Sequence, residues 1–425
     1  MRCLSRTALV AVVLSVAACT ASEPERGSSS VREVRIGVLA PRSGVSAAAG
    51  ADALRGAELA RGLVNGEEGS APLAGVGTAG LAGLGGAKLT IVAGDTRSTA
   101  ENGAAEAARL VAQEGVVGLV GAYDTVVTKV ASQRTERLRI PFVNGDSPAE
   151  YLTERGLDWF FRTGPTDRMF GEAFFSALGQ TAGVGVRKVA VLYTDDQQGN
   201  VVRNLTAELA QEGGFELVDP VRFDPETGDP VTAVAQLRDG GQRPDAVFVI
   251  ASTTKDATSL IKAFRQARYS PPGILAFGTG FSQSTVLSAT GSDGEGLLSS
   301  TAWSREVAGR NPTAKPVMDL YEAKFNQPMS ETAAGAFTAV LVMAEAIDNA
   351  GSTDPQRVRA ALLNLDIPGR EMIMPWTGVR FDAASHQNVA ANGVVEQRVR
   401  GLFRVVFPEE LQQAPAVWPR PGARA

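Results

Sequence analysis

The stretch Val34-Arg35-Ile36-Gly37-Val38-Leu39-Ala40, closed by Pro41, decides the fold class. It is short, nearly continuous in apolar residues, and stopped by a proline. A strand covered by helices on both faces loses polar alternation and reads in this way, so this is a buried parallel strand. Outward from it, apolar spacing predicts a helix over residues 52–64, a strand over 89–93 and an Ala-rich helix over 100–113. A strand over 116–120, a helix over 126–137 and a strand over 140–143 follow. The rhythm restarts with a strand over 189–193 and a helix over 201–211, then a strand over 246–250, a helix over 256–268 and a strand over 274–277. Such repeated β-α units imply open parallel sheets with helices on both faces. There are too many for one sheet of ordinary width, so an α/β chain of two Rossmann-like lobes is expected. Later come helices over 332–349 and 355–363. Strands near 378–381 and 401–407 read as late additions to a sheet, and the Pro-rich tail beyond Pro408 reads as loop.

The first nineteen residues carry a destination. Arg2 and Arg6 precede an apolar run over residues 7–18, about twelve residues long against the roughly twenty that span a bilayer. It reads as a signal-peptide core. The run ends in Val16-Ala17-Ala18-Cys19, which resembles the lipobox of bacterial lipoproteins. There, small residues fit the peptidase and the cysteine thiol accepts the lipid. Residues 1–18 are thus the expected signal peptide and Cys19 the lipidation site. The segment 19–33, rich in Ser, Gly and Pro, is the expected tether. Cleavage would remove Arg2 and Arg6 and move the formal charge from -5 to -7. The destination is extracytoplasmic, at the outer face of the cytoplasmic membrane.

Composition excludes several classes. The 425 residues include one histidine, His386, and two cysteines. Neither a multi-histidine nor a four-cysteine metal site can be built from them. A mildly acidic chain is a poor partner for nucleic acid. Residues 66–87 are Gly- and Ala-rich without a periodic apolar face and read as a flexible insertion. They contain Gly75-Val76-Gly77-Thr78-Ala79-Gly80, but a dinucleotide loop needs a strand before it and a helix after it, and both are missing. His386 sits in the polar run Ser385-His386-Gln387-Asn388 and reads as an exposed loop residue. Asp195-Asp196 reads as solvated loop charge. No GxSxG or GxxxxGK[ST] motif occurs. Neither enzyme chemistry nor a cofactor is expected.

Residues 34–57 (VRIGVLAPRSGVSAAAGADALRGA) resemble the opening of type I periplasmic binding proteins, in particular the leucine/isoleucine/valine-binding group of ABC-transporter substrate-binding proteins. Further similar stretches are residues 118–125 (GLVGAYDT), 140–144 (IPFVN), 152–156 (LTERG), 161–163 (FRT), 196–199 (DQQG) and 378–382 (GVRFD), with Gln387-Asn388. The resemblance implies two α/β lobes joined by three crossovers near 163–165, 301–303 and 377–378, with a small-molecule ligand between them. Residues 34–164 and 304–378 would form lobe I, 165–303 and 379–413 lobe II, and 414–425 a tail. ABC permease subunits are the implied partner. The same fold also serves lipoprotein sensors that report a ligand to a signalling partner, and this alternative stays open.

The resemblance further implies a set of ligand contacts. Tyr123, Asp124 and Thr125 follow the third strand, where a hydroxyl and helix N–H groups suit a carboxylate. Asp146 and Ser147 follow the fourth, where the family meets an amino-acid head. Arg42 faces the same cleft and would meet an anionic ligand or pair with Asp124 or Asp146. In lobe II the corresponding positions are Gln198, Thr253, Thr279 and Gly280. Several depart from the family: Ala49 and Gln198 replace aromatics, and Gly280 stands where an acid holds the ligand's ammonium. A buried ammonium without a carboxylate costs several kcal/mol. Asp124 or Asp146 would have to replace that acid, or the ligand is not an ordinary α-amino acid.

Overall fold

Strand β1 (Glu33–Ala40) pairs in parallel with β2 (Lys88–Asp95) on one side and β3 (Gly118–Val120) on the other. The computed structural model describes residues 31–69, 71–76, 79–180, 185–281, 286 and 289–423. With β4 (Phe142–Asn144) and β5 (Phe160–Arg162) the first sheet has the order β2-β1-β3-β4-β5, parallel throughout. Helices α1 (Ala47–Val64), α2 (Ala100–Glu114) and α3 (Thr125–Leu138) make its crossovers. The chain moves outward from β1 to β2 and then returns to β3. A crevice therefore opens at the carboxyl ends of β1 and β3, the usual ligand position of such sheets.

The second sheet has the order β15-β14-β11-β10-β9-β6-β7. Its parallel part is β6 (Lys188–Thr194), β7 (Glu216–Leu217), β8 (Val221–Phe223), β9 (Ala246–Ile250), β10 (Gly273–Phe277) and β11 (Leu298–Thr301). Both β7 and β8 pair with β6. Strands β14 (Val394–Val399) and β15 (Leu402–Phe407) complete it in antiparallel register. Helices α4 (Asp167–Gln180), α5 (Gln197–Glu212), α6 (Pro230–Asp239) and α7 (Thr254–Gln266) serve this lobe. Neither α4 nor α6 was legible as a helix. The ten residues of α6 bury only Ala233, Val234 and Leu237, too thin a stripe for a clear period. Asp229 starts it by accepting the N–H groups of Val231 and Thr232 ahead of Pro230. Likewise β11 (LSST) is mostly polar and is a strand because β10 and β14 flank it.

One long helix, Glu331–Ala350, returns to lobe I and forms its core. Length and composition would let it cross a membrane, but 78% of its apolar window is buried inside the protein. It packs on α1 at very close range: a Cβ on Gly56 would lie 2.0 Å from the Ala333 carbonyl oxygen. Small residues in both helices permit that approach. The Gly-rich segment docks on the same helix, which corrects its reading as a flexible insertion. Leu73 and Leu81 are buried, Leu81 bridges Ala87, and the Gly83 N–H donates to Asp348 Oδ1 at 2.7 Å. A side chain at Gly83 would collide with the Asp348 carbonyl, so glycine there serves contact. Gly77 and Thr78 of the GxGxxG lie outside the described residues.

The tail is loop, as expected, and is held against lobe II. The Val417 N–H donates to Gln397 Oε1 at 2.7 Å, and Gln397 Nε2 donates back to the Val417 carbonyl. Trp418 covers Gly273, where a Cβ would lie 1.9 Å from the indole. Proline blocks regular structure there, and the half-buried Trp418 still packs on lobe II. Residues 378–381 do not join either main sheet: β13 (Gly378–Val379) pairs only with β12 (Ile367–Pro368).

The lobes are joined where β5 leads into α4, where β11 leads toward Glu331–Ala350, and where the chain after β13 reaches β14. The third connection leaves lobe I later than the expected boundary at 378/379. Residues 386–388 lie along β5: Arg162 N donates to the His386 carbonyl, and Asn388 N to the Arg162 carbonyl. His386 is therefore buried, not exposed. Its ring stacks on Phe161 at 4.5 Å, with Nδ1 3.2 Å from the Phe160 carbonyl oxygen. Spacing cannot show that a polar loop adds to a sheet edge.

Arg162, fully buried, organises this junction. Its guanidinium donates to Gln387 Oε1 (2.6 Å), the Ser147 and Ala149 carbonyls (3.1 and 2.7 Å) and Thr153 Oγ1 (2.9 Å). Burial lowers its pKa to about 10, so it stays charged at neutral pH. Replacing Arg162 with Met would leave four buried acceptors unpaired. We expect Arg162→Met to lower unfolding free energy by about 3–5 kcal/mol in urea titration. A loss below about 1 kcal/mol would show that water replaces the guanidinium.

Candidate functional site between the lobes

A cavity of about 280 Å³ lies between the lobes. Its walls are strand ends and helix starts: Tyr123 to Val126 after β3, Gly145 and Asp146 after β4, Ser252 after β9, Phe277 and Gly278 at β10, and Ser300 in β11. The first turns of α4, α5 and Glu331–Ala350 supply Asp167, Gln198, Glu331 and Thr332. This convergence follows from parallel strands, which deliver every helix start to one edge.

Five of the ten expected ligand contacts line the cavity: Tyr123, Asp124, Thr125, Asp146 and Gln198. Arg42, Ser147, Thr253 and Gly280 do not, and the side chain of Thr279 lies outside the described residues. Ser147 turns into lobe I, where its hydroxyl donates to the Tyr123 carbonyl at 2.8 Å and meets Thr128 Oγ1 at 2.8 Å. It ties the two cleft loops together. Arg42 is exposed, and among the described residues no ion pair joins it to Asp124 or Asp146. Thr253 caps α7 through the Asp256 N–H, and its neighbour Ser252 holds the cleft position. Gly280 is packed against the Ala251 carbonyl, and Gly278 faces the cleft. Thr279 begins a short turn after β10. Cys19 and the expected signal peptide lie outside the described residues.

Sequence reasoning missed Asp167, Glu331, Phe170, Phe277, Ser300 and Met374, all cleft residues. Two carried a usable signal. Asp167 stands two residues past Pro165 in the expected first crossover. Glu331 follows Ser330, a natural N-cap, at the start of a predicted helix.

Among the described residues, four carboxyl groups line this cavity and no lysine or arginine does. Burial pushes Asp146 up to about 8, with the nearby Glu331 and Asp124 charges adding to it. Burial raises Asp167 to about 7, Glu150 adds, and Arg162 opposes. Burial raises Glu331 too, against the Ala302 N–H and Thr301 hydroxyl it accepts at 2.8 Å each. It also raises Asp124, against the Ser46 hydroxyl on its Oδ1. The other Asp124 oxygen is buried without a partner. Glu331 thus braces the second crossover, while Asp146 and Asp167 accept no hydrogen bond among the described residues.

Asp146 and Asp167 hold protons in the folded state that an unfolded chain releases near pH 4. The sign follows: their contribution is favourable at acid pH and is lost as pH rises toward 7 and 8. The slope is at most about 1.4 kcal/mol per pH unit for each proton retained. We expect the ligand-free protein to lose thermal stability between pH 5 and 8, and Asp146→Asn to flatten that fall. Calorimetry across this range checks it; a flat wild-type profile would mean that water solvates the cleft carboxylates.

Comparisons with known proteins agree with this architecture. The family described as periplasmic binding protein matches residues 33–399. A Leu/Ile/Val-binding protein homolog of Brucella abortus (strain 2308) is 27% identical over 391 residues, covering 90% of this chain and 92% of the relative. An ABC transporter substrate-binding protein from Desulfitobacterium hafniense, solved in complex with Leu, superposes with a TM-score of 0.70 at 23% identity, covering 88% and 99% of the two chains. Another from Sphaerobacter thermophilus gives 0.73 at 17% identity, covering 91% and 96%. Two α/β lobes around a cleft, matched over nearly the whole described length, place this chain in the periplasmic binding protein family, as a type I member of the solute-binding group.

Proposed function

We propose that this chain is an extracytoplasmic, lipid-anchored receptor that captures a small organic solute between its lobes and delivers it to an ABC importer. The observation that carries this reading is the interlobe cavity, walled by strand ends and helix starts from both lobes. A solute there touches both halves, so its binding energy favours the closed arrangement over the open one. A permease that recognises the closed shape would accept loaded receptor in preference to empty. Tyr123, Asp124, Thr125, Asp146 and Gln198 are the proposed ligand contacts, joined by Asp167, Ser252 and Glu331. The anchor is Cys19, preceded by an apolar run too short to span a bilayer.

A thermal-shift screen over amino acids, amides, amines, aromatic acids and short peptides tests solute capture. A solute at about a hundred times its Kd stabilises the fold by about 2.7 kcal/mol, a clear upward shift. The same solute should compact the protein in small-angle scattering. If no compound in any class moves the melting temperature, capture is the wrong reading. For the anchor, Cys19→Ser should move the protein from the membrane fraction to the soluble fraction after export. Retention in the membrane would sink lipidation at this position.

A further inference from the structure

We infer that the cleft is built for an organic cation, a ligand bearing an ammonium or amidinium group held between carboxylates of both lobes. The inference rests on the reading of the cleft as a solute site and names the class of solute.

Asp124, Asp146 and Glu331 lie on the lobe I side, close enough for the charges of Asp124 and Glu331 to act on Asp146. Asp167 stands at the start of α4 on the lobe II side. It is only 3% exposed and lines the cavity; its N–H donates to the Pro148 carbonyl, while its carboxyl makes no hydrogen bond or ion pair among the described residues. A buried carboxyl without a partner is costly, and native proteins rarely keep one unless something else satisfies it. The Ser300 hydroxyl in the same wall is also buried without a partner. Among the described residues no lysine or arginine lines the cavity; Arg162, buried behind it, acts on Asp167 without forming an ion pair with it. Incoming cationic charge would satisfy both sides at once, so attraction and lobe closure would be the same event.

The chemistry also excludes competitors. A carboxylate ligand seated at the start of α3 would lie beside the carboxyl of Asp124, the N-cap residue of that helix. Like charges in a partly desolvated cleft repel strongly. The four carboxylates do not gather into a set of three that could hold a metal ion, among the described residues. Phe170, Phe277 and Met374 line the same cavity and offer apolar surface to a carbon skeleton. An organic ammonium or amidinium fits both halves of this description.

The test uses the purified protein with 1,4-diaminobutane and agmatine as cationic probes, and leucine and 4-hydroxybenzoate as anion-bearing ones. A cationic probe should raise the melting temperature. Asp167→Asn and Asp146→Asn should each weaken its affinity at least about tenfold in calorimetric titration. Both variants remove a buried, unpaired acid, so their ligand-free melting temperatures should equal or exceed the wild type, which separates lost binding from lost folding. If leucine or 4-hydroxybenzoate shifts the protein and neither cation does, the cation assignment is overturned while solute capture stands. Cation binding that survives both substitutions also overturns it. If none of the four probes binds, the assignment fails, and the wider screen then decides solute capture separately.

Discussion

The fully buried guanidinium of Arg162 is the constraint on which the rest of the structure depends. It sits where β5 ends and the chain leaves for lobe II, and it has no carboxylate in direct contact. Its charge is compensated by carbonyls, an amide and a hydroxyl from three separate segments. Taking a cation out of water is tolerable only when every donor is met. The loop after β4, the turn at Thr153 and the late segment at Gln387 must therefore all be in place together. The first of these loops carries Asp146, and the last leads into the third connection between the lobes. One side chain thus ties hinge geometry to the cleft wall.

The cleft reverses the usual pairing of helix starts with anions. Its helix N-termini could supply partial positive charge to a ligand. In this chain, carboxylates occupy those places already: Asp124 at the cap of α3, Asp167 at the start of α4, and Glu331 at the start of the long helix. The helix dipoles favour these ionised groups, while burial and mutual repulsion disfavour them. The balance leaves Asp146 and Asp167 protonated in part near neutrality. A ligand of opposite charge would favour the ionised forms of these groups.

Legibility differed with the kind of signal. Strands β1, β6, β9 and β10 were readable because burial on both faces demands continuous apolar runs, and no other element makes such runs so short. Helices with wide apolar stripes were readable at 3.6-residue spacing. Elements held by their neighbours escaped: β11 is polar, α6 is short, and the strand-like segment at 386–388 exists because β5 offers an open edge. The docked glycine-rich segment and tail escaped for the same reason, since contact rather than local preference orders them. In the cleft, loops after β3 and β4 could be placed from the strands they follow. Positions beyond β9 and β10 slipped by one or two residues, from Ser252 to Thr253 and from Gly278 to Gly280.

The amino-acid order alone was enough to establish a two-lobed α/β chain, and it raised the expectation of an export signal and of a ligand site at the strand ends. Periodicity and composition are local properties, and local properties survive in a string. Which side chains face the cavity was decided by packing between segments far apart in the chain. His386 was drawn inward by Phe161, Ser147 was spent on Tyr123 and Thr128, and Asp167 and Glu331 were brought into the same cavity as Asp146. Whether a carboxylate is solvated or buried depends on what stands across from it, and that is a relation in space which no spacing in the sequence encodes.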